Sequence, residues 1–393
     1  MSLIGEALWA TGKMLFILLV VVGAFAPILV WAERRQSAMI QDRIGPVRAA
    51  IPLRFGWFGK KVRWNIRLLG LLHPAADAIK MIWKEDFVPV RADRFLHALA
   101  PIITLVPAIL AFAVVPFGGV FYPSHWWDVL SFHQPLAHLG GPSVPLQVAS
   151  LNVGILFVFA VGGTGVVGAA VGGYASDNKF SLLGGLRAAG QLVSYEVVLG
   201  LTLVGSFMIY GSLRLEDMVS WQMSHHFGAL PLWGIFMQPV GFVMFLTAAI
   251  AESKRIPFDV PEGESEIVGG YHTEYSGMKF GMFFTGEFIE VVLTAALVVT
   301  IFLGGYHLPG LTPAGFDVFG WRLGLPHLVV TILGIGVFLG KVVVLIWFQL
   351  MIRWTLPRFR YDQIMQLCWK GLLPLALINI FITGLVLLSL KGN

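Results

Sequence analysis

Long apolar runs alternate with short polar connections along the whole chain. Runs at roughly 12–32, 97–117, 148–171, 190–210, 233–252, 278–304, 327–352 and 371–390 each approach the ~20 residues a helix needs to cross a bilayer. The pattern predicts an all-α integral membrane protein of about eight transmembrane helices. The third run carries Gly162, Gly163, Gly165 and Gly168, small residues that let helices approach closely. In the long polar segment after the first run, Leu68, Leu69, Leu72, Ala76, Ile79 and Trp83 recur at helical spacing, with His73, Asp77, Lys80 and Lys84 on the other face. That describes an amphipathic helix lying at the membrane interface. Surface anchoring and a ligand site are both open readings of it.

Composition agrees with the pattern. At 57% hydrophobic and 12% charged, 393 residues have too little polar surface to cover a soluble globule. No polar block is long enough to fold alone, so residues 1–393 read as one polytopic membrane domain. The first run is longer than a signal-peptide core and lacks a small-residue cleavage site before Glu33, so it is expected to remain as a span. Cys368 is the single cysteine, which excludes a disulfide and a cysteine-ligated zinc or iron–sulfur site within the chain.

Lysine and arginine set the orientation, because they are retained on the cytoplasmic side. They crowd the segments 33–95, 172–189, 253–277 and 353–370, whereas the opposite connections and termini hold only Lys13, Arg214, Arg322 and Lys391. Both termini are therefore expected outside. The formal charge of +5 is a topology signal, and nucleic-acid binding is not expected.

Candidate chemistry gathers between the fifth and sixth runs, in AESKRIPFDVPEGESEIVGGYHTEY from Ala251 to Tyr275. Glu252, Asp259, Glu262, Glu264, Glu266 and Glu274 fall inside it, and Glu287 and Glu290 lie just within the next run. One reading is a solvated acidic loop balanced by Lys254, Arg255 and Lys279. Against it, Ile256-Pro257-Phe258 and Val260-Pro261 put φ-restricted apolar residues between the charges, which favours a packed path. Glu196, Glu287, Glu290, Lys341 and Arg353 fall in or at the end of spans, where an ionisable group is costly and points to function. Several carboxylates within hopping distance of water can pass protons. Glu33, Arg34, Arg35, Gln41, Asp42 and Arg43 follow the first run, where snorkelling arginines are the plain alternative to a site. His125, His133 and His138 in the connection 118–147 lack the close spacing of a metal site, and His225 and His226 read as interfacial residues. No phosphate loop and no hydrolytic triad is present.

Taken together, ERRQSAMIQDRIGP (33–46), HPAADAIKMIWKED (73–86), RAAGQLVSYEV (187–197), AESKRIPFDVPEGESEIVGGYHTEYSGMKF (251–280) and RWTLPRFRYDQIMQLCWK (353–370) resemble the H-subunit family of proton-pumping NADH:quinone oxidoreductase, respiratory complex I. The resemblance runs in order over almost the whole chain. It implies a membrane heel subunit in a bacterial inner membrane, set between a hydrophilic electron-transfer arm and small and antiporter-like membrane subunits. The substrate implied is a quinone; flavin mononucleotide and iron–sulfur clusters, including the terminal one, are implied only in partner subunits, with no redox centre in this chain. Matching positions place Glu33, Arg34, Arg43, Asp77, Lys80 and Phe284 at the quinone tunnel's entrance or walls. They place Glu196, Glu252, Asp259, Glu262, Glu264, Glu266, Glu274 and Glu287 in an acidic funnel coupled to proton movement. The rival classes are the homologous membrane subunit of an energy-converting hydrogenase or ferredoxin-linked complex, and a stand-alone ion-coupled transporter, for which no internal repeat is seen. His73, Val47 and Lys254 depart from the family's usual glutamine and asparagines, residues 49–67 form a basic extension, and 118–147 is longer than typical.

Overall fold

The computed structural model describes residues 3–57, 60–66, 68–128, 142–227, 230–318 and 321–391. Among the described residues, ten principal helices, α1 to α10, carry the fold. Their centre is α8, Gly277–Phe302. This helix is apolar on nearly every side, and 78% of its most apolar window is buried, the place a helix without a polar face must take. Around it pack α1, α2 (Leu72–Trp83), α3 (Arg94–Leu110), α6 (Leu215–Ser224), α7 (Pro239–Glu252) and α9 (His327–Thr355). Helices α4 (Gly154–Ala175), α5 (Lys179–Tyr210) and α10 complete the bundle on the α3 and α7 side.

Helix α1 joins Leu3–Ile17, a π-wound stretch Leu18–Phe25 and Ala26–Ile40 into one rod; α10 joins Tyr361–Gln366, a π-wound Leu367–Leu372 and Leu373–Lys391. Among the described residues, seven helices are long and apolar enough to cross a membrane. On α10 the exposed Phe381, Leu385 and Leu388 form a surface suited to lipid or another membrane protein.

The expected fifth run, 233–252, is split. After the single turn Gly234–Met237 the chain breaks at Gln238, leaving α7 with 14 residues, about 21 Å at 1.5 Å per residue. Gln238 donates to Thr383 Oγ1 (2.6 Å) and accepts from Asn379 Nδ2 (2.9 Å), so the break is paired inside the protein on α10. Other ends have local causes. Asp93 caps α3 by accepting from Phe95 N and Leu96 N, Asn178 caps α5 by accepting from Phe180 N, and Gly211 closes α5 at φ 69°.

Helix α2 starts later than the periodicity predicts. Leu68 and Leu69 belong to a tight turn with positive φ, and the helix begins at Leu72. Its Asp77 meets Arg34 of α1 at 2.6 Å, while Ile79, Ile82 and Trp83 stay exposed on the apolar face. The fold is all-α as expected, with only short antiparallel ladders in the connections. Strands β1 (Ile51–Trp57) and β2 (Lys60–Ile66) form a hairpin within the basic extension, and smaller pairs occur at Val120–Phe121 with Val144–Pro145, His226–Phe227 with Leu230–Pro231, and over Leu311–Gly324. His133 and His138 lie outside the described residues.

The glycines of α4 divide by role. A Cβ on Gly168 would overlap Thr104 Oγ1 and stand 2.9 Å from Thr104 N, and one on Gly173 would stand 2.6 Å from Ser181 O. These positions let α4 touch α3 and α5 backbone to backbone. Gly168→Val is expected to cost about 3 kcal/mol or more through overpacking. A fall in assembled protein on a native gel of detergent-solubilised membranes checks it.

Candidate functional site

Buried charge needs a partner or a proton, and the structure supplies partners that sequence arithmetic treats only as counter-charges to a loop. Asp259 is buried, as are Phe258 and Val260 beside it, so the stretch after α7 is a packed path rather than a solvated loop. Gln191 of α5 fixes its course by donating to Ala251 O and Phe258 O, both at 2.8 Å.

Lys254 and Arg255 turn inward. Arg255 lies 3.5 Å from Glu33 Oε2 and 4.0 Å from Glu287 Oε2, with its guanidinium 4.2 Å over the Phe288 ring. Arg353 of α9 meets the other oxygen of Glu33 at 2.6 Å. Lys254 pairs with Glu290 at 3.4 Å. Burial pulls the Lys254 and Arg255 pKa values down, but Glu290 on the first and Glu33 and Glu287 on the second more than offset it, so both are raised. Both stay charged.

Glu287 also accepts from Tyr271 Oη at 2.8 Å and shares a hydrogen bond with Glu262. A bond between two carboxyl groups requires a proton on one of them. Burial, then the Glu287 charge, pushes the Glu262 pKa well above the usual range. His272 stands 3.6 Å from Glu262, and one donor atom each from Glu262, His272 and Glu287 falls within 4.8 Å of the others. That set has the composition of a divalent-cation site, and Arg255 stands beside it at 4.0 Å from Glu287. Asp259 pairs with Arg358 at 2.6 Å, but burial outruns that cation and lifts the carboxyl to about 6.

Deeper in the bundle, Glu196 of α5, Glu252 of α7 and Glu290 of α8 line one cavity of about 40 Å³ together with Thr104, Gly162 and Gly165. That is room for about three waters at roughly 10–15 Å³ each. The α4 glycines pave it: a Cβ on Gly163 would stand 2.9 Å from Glu196 Oε1, one on Gly162 3.9 Å from Glu252 Oε1, and one on Gly165 3.8 Å from Glu290 Oε1.

At the other end of this network, Glu33, Arg34 and Arg43 line an open cleft of about 570 Å³ with Ser37, His73 and Trp354. Asp77 and Lys80 adjoin it through the Arg34–Asp77 contact and the Lys80–Asp77 pair at 3.6 Å. Phe284 stands apart from the cleft, in a ladder on α8 with Phe280 (6.0 Å) and Phe288 (4.8 Å). Glu266 and Glu274 also stand outside the inner network, on Arg187 (2.6 Å) and Asn178 (2.6 Å). The Glu264 side chain lies outside the described residues. Sequence reasoning misses Arg255, Tyr271 and the paving glycines as members of the site. The usable signal was the need of each buried acid for a donor close by.

Lys341, a candidate by its place in a span, belongs elsewhere. Its ammonium donates to the carbonyls of Leu303 (2.7 Å), Gly305 (3.0 Å) and His307 (2.6 Å) and lies 4.5 Å from the Trp233 ring centroid. It holds the chain that leaves α8.

An all-α, multi-pass membrane protein with a row of paired acids through its interior is the class this architecture defines. The chain belongs to the NADH dehydrogenase family, whose family model matches residues 12–384. It is similar to an H subunit of NADH-quinone oxidoreductase from Geobacter metallireducens, 45% identical over 94% of this chain and 93% of that one. It is likewise similar to H subunits of the same enzyme from Geobacter sulfurreducens (45%, covering 96% of each) and Thermomicrobium roseum (43%, covering 94% of each).

Proposed function

We propose that this chain is the quinone-facing membrane subunit of a proton-translocating NADH:quinone oxidoreductase, with both termini on the outer side of a bacterial inner membrane. The relatives' names support the complex and its substrate class. Its partners are then hydrophilic-arm subunits that carry flavin mononucleotide and iron–sulfur clusters, and small and antiporter-like membrane subunits. The hydrogenase-type alternative is less well supported, since the relatives at 40–45% identity carry the quinone name.

One observation carries the mechanistic reading. Ionisable groups run from the Glu33 cleft through Arg353 and Arg255 to Glu287 and Glu262, and on through Glu290 and Lys254 to the cavity of Glu252 and Glu196. Reduction of a quinone to a quinol takes up two electrons and two protons, and electrons delivered from the arm put negative charge beside the cleft until protons follow. Such charge raises the proton affinity of nearby carboxylates, and each pKa unit is worth about 1.4 kcal/mol. Arg255 would pass the change on, because it faces Glu33 and Glu287 at once. Glu262 holds the proton that the Glu262–Glu287 pair can release or retain, and water in the cavity would connect it to Glu252 and Glu196. Glu266 and Glu274 form the outer rim of this acidic funnel, to which Glu264 belongs by its place in the sequence, and Phe284 forms a wall of the apolar route from lipid.

Glu196→Gln tests the proposal. The variant keeps the shape of the side chain and its fit against Gly163, so the complex should assemble, while quinone-linked NADH oxidation and proton pumping in membrane vesicles fall together by about a hundredfold, the lower end of the range for loss of a proton-transfer group. Full activity with full pumping would remove Glu196 from the pathway.

A further inference from the structure

Helices α1, α7, α8 and α9 enclose a second, smaller cavity behind Glu33, and no step of the network above uses it. It holds about 20 Å³, and Glu33, Arg255, Gln349 and Arg353 supply its polar lining beside apolar Leu29 and Phe288. Glu33 also lines the open cleft of about 570 Å³, so its carboxylate is the polar group common to both spaces. Helix α9 brings Gln349 and Arg353 here together, because residues four apart share a helix face. Gln349 is 7% exposed, and the stretch Ile346–Ile352 around it holds no other amide or charged side chain.

Among the described residues, the Gln349 Nε2 group meets no hydrogen-bond acceptor, and neither does Nε of Arg255 or Nε of Arg353. Three side chains around one cavity therefore each bury a donor, against one carboxylate whose two oxygens already face Arg255 and Arg353. Buried donors are nearly always paired, since an unpaired one has lost its hydration without replacement. The surplus of N–H groups calls for one more oxygen. Size selects which: a quinone carbonyl or a phosphate brings far more bulk than the cavity admits, whereas a water needs about 10–15 Å³ of such space and two to four polar partners.

We infer that the cavity binds one water molecule, which accepts from Gln349 Nε2 and from an arginine Nε and donates to Glu33, and that Gln349 is a positioning residue for proton exchange at Glu33. The site stands on the cavity and its donors, while its consequence rests on the proposed quinone reaction. A guanidinium keeps its proton in proteins, so Arg255 and Arg353 can pass on a change of charge but not a proton. Water behind Glu33 supplies what they lack: a hydrogen-bond partner, on the side away from the cleft, that can take up or give a proton.

Electron cryo-microscopy of the intact purified complex, at a resolution that shows ordered water, tests the site without any substitution. One density peak should lie within hydrogen-bond distance of Gln349 Nε2 and of a Glu33 oxygen; well-defined side chains with no peak between them would overturn the site. Gln349→Leu keeps the bulk of the side chain and removes the donor. The peak should then vanish, kcat for quinone-linked NADH oxidation should fall by about fivefold, the worth of one hydrogen bond, and KM for quinone should hold. Gln349→Asn, which returns an amide, should recover the peak and most of the turnover. A peak that survives in Gln349→Leu, or full turnover without the peak, would overturn the role given to Gln349. Neither result touches the wider pathway, which full activity with full pumping in Glu196→Gln would strike instead.

Discussion

Arg255→Met should abolish most quinone-linked NADH oxidation, with a fall of at least about tenfold in complex that still assembles. The side chain's shape is roughly kept and its charge is lost. Glu33 would retain Arg353, but Glu287 would keep only Tyr271 and the proton shared with Glu262, with Lys254 committed to Glu290. Removing one partner from a buried ion network costs about 3–5 kcal/mol, because the charge left behind stays out of water. That cost can be met by proton uptake on a carboxyl, which would freeze the pair that the proposed pathway needs to cycle. Arg255→Lys should recover only part of the activity, since a single ammonium cannot span Glu33 and Glu287 as a planar fork does. NADH oxidation by membrane vesicles, normalised to assembled complex on a native gel, is the measurement. Wild-type turnover in Arg255→Met would take Arg255 out of the coupling route.

The opposite outcome is expected at Lys341. Lys341→Met should lower stability by about 3 kcal/mol, the net expected from losing charge-assisted bonds to three carbonyls after the cost of burying the ammonium is returned. Turnover of the surviving complex should not change, because the ammonium touches the carbonyls of Leu303, Gly305 and His307. The thermal half-life of the purified complex should shorten while specific activity at low temperature holds. Pumping lost with the half-life intact would make Lys341 a functional group after all.

These contrasting expectations show where a sequence runs out. Lys341 and Glu287 look alike as single ionisable residues in apolar runs, and the cost of burial marks both as functional. One proves to be a clamp on backbone carbonyls and the other a member of an acid chain. The difference lies in what other segments bring to them. Arg255 was visible as a cation in an acidic loop, but its two acid partners are 222 and 32 positions away, Glu33 on α1 and Glu287 on α8. The α4 glycines read from sequence as contact surface. Gly168 and Gly173 are that, whereas Gly162, Gly163 and Gly165 leave space beside carboxylates.

The sequence by itself determined the membrane class, the approximate helix runs, the amphipathic helix beside α1 and the concentration of acids after α7. Each depends on local composition and on the cost of placing polar groups in lipid, which act within one segment. Tertiary structure alone decided that α8 is the buried axis, that α7 is broken at Gln238 and paired to α10, and which acids face one another. Those outcomes depend on contacts between segments far apart in the chain, where packing and the pairing of buried charge select among arrangements that are locally equivalent.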